Sequence, residues 1–227
     1  MPFVGNVGSA IVSNKDTNVI TVGAAGVAAG NTIFYRFGGQ AVPTSVTDSK
    51  GNTYTLIASG AVRNASLYRC DVGTALVSGD TITASFAMME NSQSSAEEFS
   101  DIEATVDQAA QSATGASTTP SVAMASLANA TDLLFGHLSL DASSGIAVTE
   151  DADSAGGDTW HTLTEVVKTG QINGAYKFTT SAVSQTYNPT LGASDDWSVN
   201  LVSYKAPTAA AVARVPRSTP YPQLLAH

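Results

Sequence analysis

Apolar and polar positions alternate with a period of two along most of this chain, and that period belongs to strands. Thr17 to Val22 (TNVITV) reads as a strand, followed by the small-residue connection GAAGVAAGN. Thr32 to Phe37 (TIFYRF) sets Ile33, Tyr35 and Phe37 against Thr32, Phe34 and Arg36. Ser45 to Asp48 (SVTD) enters a predicted hairpin, with Ser49-Lys50-Gly51-Asn52 as the turn and Thr53 to Ala58 (TYTLIA) as the return strand. Asp and Gly suit such a turn because they tolerate left-handed backbone and form local side-chain bonds. Ser66 to Cys70 and Thr81 to Phe86 are further strands, the second introduced by the turn signal Ser78-Gly79-Asp80.

Ala96 to Val106 is ambiguous, because Phe99, Ile102 and Val106 also fit a helical spacing. Residues 108–120 (QAAQSATGASTTP) form the most loop-like interior stretch. Neither half of the chain carries a self-contained set of turns and aromatics, so this stretch reads as a long connection inside one sandwich. The second half predicts strands at Ser121 to Met124, Asp132 to Leu140, Trp160 to Val167, Gly174 to Thr180 and Asp196 to Lys205. Along the last, Trp197, Val199 and Leu201 share one face with Ser203, while Val202 and Tyr204 share the other. Apolar residues on both faces mark a central strand. About ten to twelve short strands with regular turn signals predict an all-β fold. It is expected to be an antiparallel, jelly-roll-like β-sandwich over residues 1–205.

From Ala206 the pattern stops. Pro207, Pro216, Pro220 and Pro222 remove amide donors and fix φ, which rules out an interior strand or a helix. Residues 206–227 are expected to be an extended C-terminal arm. Its Val212, Arg214, Val215, Arg217, Tyr221, Leu224 and Leu225 are the expected partner-binding residues.

Composition narrows the function classes. Hydrophobic residues make up 43%, enough for a real core, while charged residues reach only 13%. A net charge of −9, with ten scattered basic residues, disfavours nucleic acid and anionic membranes as partners. The start of the chain lacks a basic region and a continuous apolar run, so synthesis in a cytoplasm without standard export is expected. The lone Cys70 reads as a small core residue, and a single cysteine excludes intramolecular disulfides.

The candidate chemistry is sparse. His137 lies inside an apolar strand and reads as a core residue; His161 follows Trp160 beside an acidic loop; His227 ends the chain. No G-x-S-x-G elbow occurs. Glu97, Glu98, Asp101, Glu103 and Asp107 are numerous but local, and glycoside hydrolysis requires two carboxylates opposed across a cleft. The acidic loop at 150–158 offers Asp151, Asp153 and Asp158 as weak calcium candidates. Measured from Asp151, though, Ala155 occupies the third ligand position and Thr162 replaces the closing glutamate. No phosphate-binding glycine loop occurs, and neither a metal nor a cofactor is expected.

Val46-Thr47-Asp48-Ser49-Lys50-Gly51-Asn52-Thr53-Tyr54 resembles a phrase that opens a hairpin in β-sandwich structural proteins of tailed bacteriophages. Similar stretches follow in the same order at Ser66–Tyr68, Thr81–Phe86, Thr131–Gly136 and Asp196–Lys205. The resemblance spans roughly residues 10–205 and takes in capsid decoration, head-fibre and minor tail proteins. It favours a strand with a following loop at Ala96 to Val106. It implies a non-enzymatic virion subunit that docks on the major capsid protein or on head and tail subunits. A homo-oligomer is expected, with a trimer as the leading form. The alternative is a glycan- or receptor-binding module of a phage tail tip or bacterial surface protein, using Tyr54, Trp160, Tyr187 or Trp197.

Overall fold

A computed structural model describes residues 2–142, 145–168 and 170–206. The arm residues from Pro207 onward, including Val212, Arg214, Val215, Arg217, Tyr221, Leu224, Leu225 and His227, lie outside the described residues. The described chain is an antiparallel β-sandwich. Its first half forms strands β1 (Phe3–Thr21), β2 (Thr32–Gly39), β3 (Ser45–Asp48), β4 (Thr55–Ser59), β5 (Ser66–Asp71) and β6 (Thr81–Phe99). Its second half adds β7 (Gln111–Ser117), β8 (Val122–Met124), β9 (Asp132–Leu140), β10 (Val148–Thr149), β11 (His161–Thr162) and β12 (Val166–Val167). It closes with β13 (Gln171–Phe178), β14 (Gln185–Tyr187), β15 (Thr190–Leu191) and β16 (Asp195–Lys205).

The first sheet runs β1-β6-β2-β5-β4, with β3 also on β6; the second runs β11-β13-β9-β16-β7, with β12 on β13. Short ribbons β10-β15 and β14-β8 complete the structure. Every strand of the first sheet therefore comes from residues before 100, and every strand of the second from residues after 110.

Period-two alternation places side chains on three layers. Odd positions of β2 (Ile33, Tyr35, Phe37) join Ile20, Val46, Ile82 and Phe86 in one core cluster. This is possible because β1 and β6 are long and bend together. Their register shifts near Lys15 fold the far end of the ribbon back over β2 and β5. Phe34 and Phe99 from the first sheet meet Leu133, Phe135, Val202 and Tyr204 from the second in the inter-sheet cluster. Leu134, Leu138, Val199, Leu201 and Trp197 face outward from the second sheet and are covered by Trp160, Tyr187 and Leu191. Both faces of β16 are thus buried, in the two sets that its alternation separates.

The structure corrects several expectations. The predicted hairpin does not form: β3 pairs with β6, β4 pairs with β5, and only a single Thr47–Thr53 bridge joins them. Asp48 explains this, because its carboxylate accepts from the Lys50 and Asn52 amides, the Asn52 side chain and the Tyr54 hydroxyl. It closes a compact loop that sends the two strands to different neighbours. The stretch 108–120 is not all connection: β7 pairs with β16 across Gln111–Ser117. Its small polar side chains hide it from any hydrophobic pattern, and pairing supplies the stability that packing does not. The strand predicted at Trp160 to Val167 breaks into β11 and β12. β1 also starts well before Thr17, and β6 continues past Phe86 to Phe99, with residues 100–106 outside named strands.

Gly174 has close neighbours in its own sheet and across the interface. A Cβ there would lie 2.5 Å from the Gly136 carbonyl oxygen and 3.0 Å from Arg36 Nη1, whereas a Cβ at Gly5 would meet nothing within 4 Å. Gly174→Ala is expected to lower stability by about 1–3 kcal/mol as overpacking. Gly5→Ala should stay within about 0.5 kcal/mol of the parent. Urea midpoints at constant m measure both.

Candidate functional site

The space between the sheets is divided. At one end it is aromatic: Phe34 stacks on Phe135 at 4.7 Å, and Phe99 meets Phe34, Phe135 and Tyr176 edge-on. At the other end, continuing the same strands, it is polar. Arg36, one step beyond Phe34 on the same face, donates to Glu97 through Nε (3.0 Å) and Nη2 (2.6 Å), and to the Thr164 carbonyl. Both side chains are fully buried. Ser95 donates to the same Glu97 carboxylate at 2.6 Å. His137, Gln93, Ser139 and Asn200 lie on this face and are also fully buried. Burial and the neighbouring Arg36 charge hold His137 well below its ordinary pKa, so it is neutral. Asn200 bridges the layers, donating to the Ala65 carbonyl and accepting from Ser112.

The sandwich opens on one side. There β4, the edge of the first sheet, faces segment 103–107, which runs beside the end of β16 through the Val106–Tyr204 bridge. A hollow of about 440 Å³ lies between them, lined by Thr53, Thr55, Ile57, Arg69, Asp71 and Val106, with Ala104 and Tyr204. Arg69 forms its floor, with its guanidinium 4.2 Å from the Tyr204 ring centroid. Arg69 donates twice to Asp71 Oδ1 (2.9 and 2.7 Å) and once to the Glu103 carbonyl (2.8 Å), which pins the 103–107 segment to the first sheet. The Asp71 side chain remains 56% exposed. The hollow therefore offers a carboxylate, threonine hydroxyls and an apolar wall of Ile57, Ala104 and Val106.

The residues singled out in the sequence are not gathered into one site. Glu97 and Glu98 point to opposite faces, as neighbours on a strand must; Glu98 accepts from the Ala28 amide and the Asn31 side chain. Asp107 accepts from the Ala128 amide and lies 3.9 Å from Lys205. In the acidic loop, Asp151 accepts from the Asp153 and Asn188 amides, Asp153 from the Ala155 amide, and Asp158 from Thr159 N and His161. These carboxylates close turns. Among the described residues no group of three His, Cys, Asp or Glu is placed to hold a metal ion. His161 stacks on Tyr176 at 5.0 Å. Cys70 is buried, and its thiol is pushed up to about 12, mainly by burial. Trp160, Tyr187 and Trp197 belong to the outer core of the second sheet and Tyr54 packs half-buried on the first, so none is an open stacking platform.

Arg69, Asp71 and Tyr204 become a unit only in the folded chain. The signal in the sequence is an arginine inside each of two otherwise apolar strands, TIFYRF and SLYRC. A charge at such a position is retained only with a partner. No family model, no curated protein and no solved structure matches this chain.

Removing one member of the Arg36–Glu97 pair leaves an uncompensated buried charge. Arg36→Met is expected to cost about 3–5 kcal/mol by urea denaturation, and the double change Arg36→Met/Glu97→Leu to recover much of it. A second prediction concerns pH. Burial raises the Glu150 and Asp132 carboxyls to about 7 from 4.5 and 3.8. The folded protein keeps these protons where the unfolded chain has lost them. The stability that these two protons contribute is therefore full below the unfolded values and is lost as pH rises toward the folded value near 7. The lowered Asp80 and Asp158 groups act with the opposite sign below their ordinary value of 3.8, and His137, held neutral in the fold, does so below its ordinary value of 6.5. The urea midpoint at pH 5 minus that at pH 8 should be smaller in Glu150→Gln or Asp132→Asn than in the parent.

Proposed function

We propose that this chain is a structural subunit of a tailed-bacteriophage virion, of the capsid decoration or head–tail accessory kind, which docks on neighbouring subunits. The observation that carries the reading is how its ionisable side chains are used. Arg36 and Glu97 brace the two sheets, Arg69 ties the 103–107 segment to the first sheet, and Asp48, Asp151, Asp153 and Asp158 close turns. These polar contacts brace the fold, which is what a shell component needs. The resemblance over the later stretches supports the same class, while Val46–Tyr54 keeps the phrase but forms a closed loop in place of its hairpin, and in this reading the arm from Ala206 supplies a docking element with Tyr221, Leu224 and Leu225 as anchors. The partners in this reading are other copies of the chain and the major capsid protein or head and tail subunits.

Quantitative mass spectrometry of purified particles tests the proposal. The chain is expected in washed virions at a fixed ratio to the major capsid protein. Hundreds of copies assign it to decoration of the shell and a handful to the collar or tail. Its absence from particles whose other structural proteins are recovered overturns the proposal.

A further inference from the structure

The hollow on the open side of the sandwich lies next to the point where the chain leaves the fold. Tyr204 lines it, and two residues later Ala206 donates to the Thr131 carbonyl as the last described position. Twenty-one residues follow, 207–227. We propose that the hollow is the receiving site for this C-terminal segment of a second copy of the chain. This rests on the reading of the arm as a docking element.

Four observations point to that occupant. First, the walls are two sheet edges. Among the described strands β4 pairs only with β5, and segment 103–107 bonds to β16 through Glu103, Thr105 and Asp107, which turns the backbone groups of Ala104 and Val106 the other way, toward the open side. An extended segment fits such edges by adding main-chain hydrogen bonds. Second, the side chains match. Val106 is 51% exposed, and with Ile57 and Ala104 it forms an apolar strip; the arm carries Val212, Val215, Tyr221, Leu224 and Leu225. Third, the arm holds Arg214 and Arg217 and no acidic residue, on a chain with 19 of them, and at the rim of the hollow the Asp71 carboxylate, paired with Arg69, stays 56% exposed and in reach of a second cation. Fourth, geometry favours a second copy over the same one. Pro207 biases Ala206 toward extended backbone. The stretch PTAAAVARV contains no Gly, Asn or Asp to turn the chain back on itself. Fully extended, 21 residues reach roughly 70 Å, enough to cross a neighbouring sandwich. Contacts between the arm of one copy and the hollow of another close as a reciprocal pair or, head-to-tail, as a ring.

The test uses the full chain, followed by sedimentation equilibrium over a range of concentrations. The parent is expected to self-associate. Val106→Asp should weaken association at least tenfold, as should the arm variant Tyr221→Ala/Leu224→Ala/Leu225→Ala. Val183→Asp, at another exposed apolar position, should leave it unchanged. A synthetic peptide of residues 207–227 in excess should dissociate the parent assembly. Circular dichroism and melting confirm that each variant is folded. Amides of 104–106 and of β4 should exchange more slowly in the assembled parent than in the Val106→Asp variant. If the arm variant dissociates while Val106→Asp associates like the parent, the arm docks elsewhere: this inference falls and the arm reading stands. If neither variant changes association, both fall. A parent that stays monomeric with the same amides protected shows the arm seated in its own hollow and overturns the exchange between copies.

Discussion

Arg36 and Glu97 are both removed from solvent, and each charge taken out of water costs several kcal/mol before their attraction is counted. The pair is tolerable only where its geometry is good, and here Arg36 donates twice to Glu97 and also to the Thr164 carbonyl. That requirement fixes how the two sheets meet. Arg36 and Glu97 both belong to the first sheet, while Thr164 belongs to the loop beside β11 and β13 of the second. The ion pair therefore ties the halves of the chain together at one relative position. Gly174 lies against the same arginine, where a Cβ would come 3.0 Å from Nη1, as well as 2.5 Å from the Gly136 carbonyl of its own sheet. The aromatic end of the interface supplies most of the apolar burial; the polar end supplies the geometry.

The same division of labour reappears at the edge. Arg69 lies across from Phe34 on β5, on the face that looks toward the second sheet, but close enough to the margin for its partner Asp71 to reach solvent. Its bond to the Glu103 carbonyl and its stacking on Tyr204 hold the sandwich shut up to the rim of the hollow. One arginine therefore clamps the interior and the other finishes the mouth. A protein built in this way has a rigid body and one open side, and the chain leaves the fold beside that side.

Much of this architecture is legible in the chain itself. The period-two runs place β2, β5, β9 and β16, and the alternation of Trp197, Val199 and Leu201 against Val202 and Tyr204 sorts β16 between two cores. The sorting works because successive strand side chains must face opposite ways. His137 reads as interior because it lies inside the apolar run DLLFGHLSL, and Cys70 because it closes the alternating run of Ala65, Leu67 and Tyr68. What is not legible is decided over distance. The first half of β1 and all of β7 carry too little apolar alternation to announce themselves, and they are strands because β6 and β16 offer open edges to pair with.

The segment Val46–Tyr54 shows the limit most clearly. Local turn chemistry determined a tight loop around Asp48, and the loop is there. Which strands it joins was a matter of partner choice, and β6 and β5 outcompeted the nearest neighbour. The carboxylates followed the same logic. The sequence determined that Glu97, Glu98, Asp107, Asp132 and Glu150 exist; only tertiary placement decided that Glu97 would meet Arg36 and that burial would raise Asp132 and Glu150. Where apolar and polar residues alternate, strand identity and face are set by residues one and two steps apart, so the chain states them itself. Pairing, burial and charge partnership join residues that are dozens of positions apart, so only the folded structure could decide them.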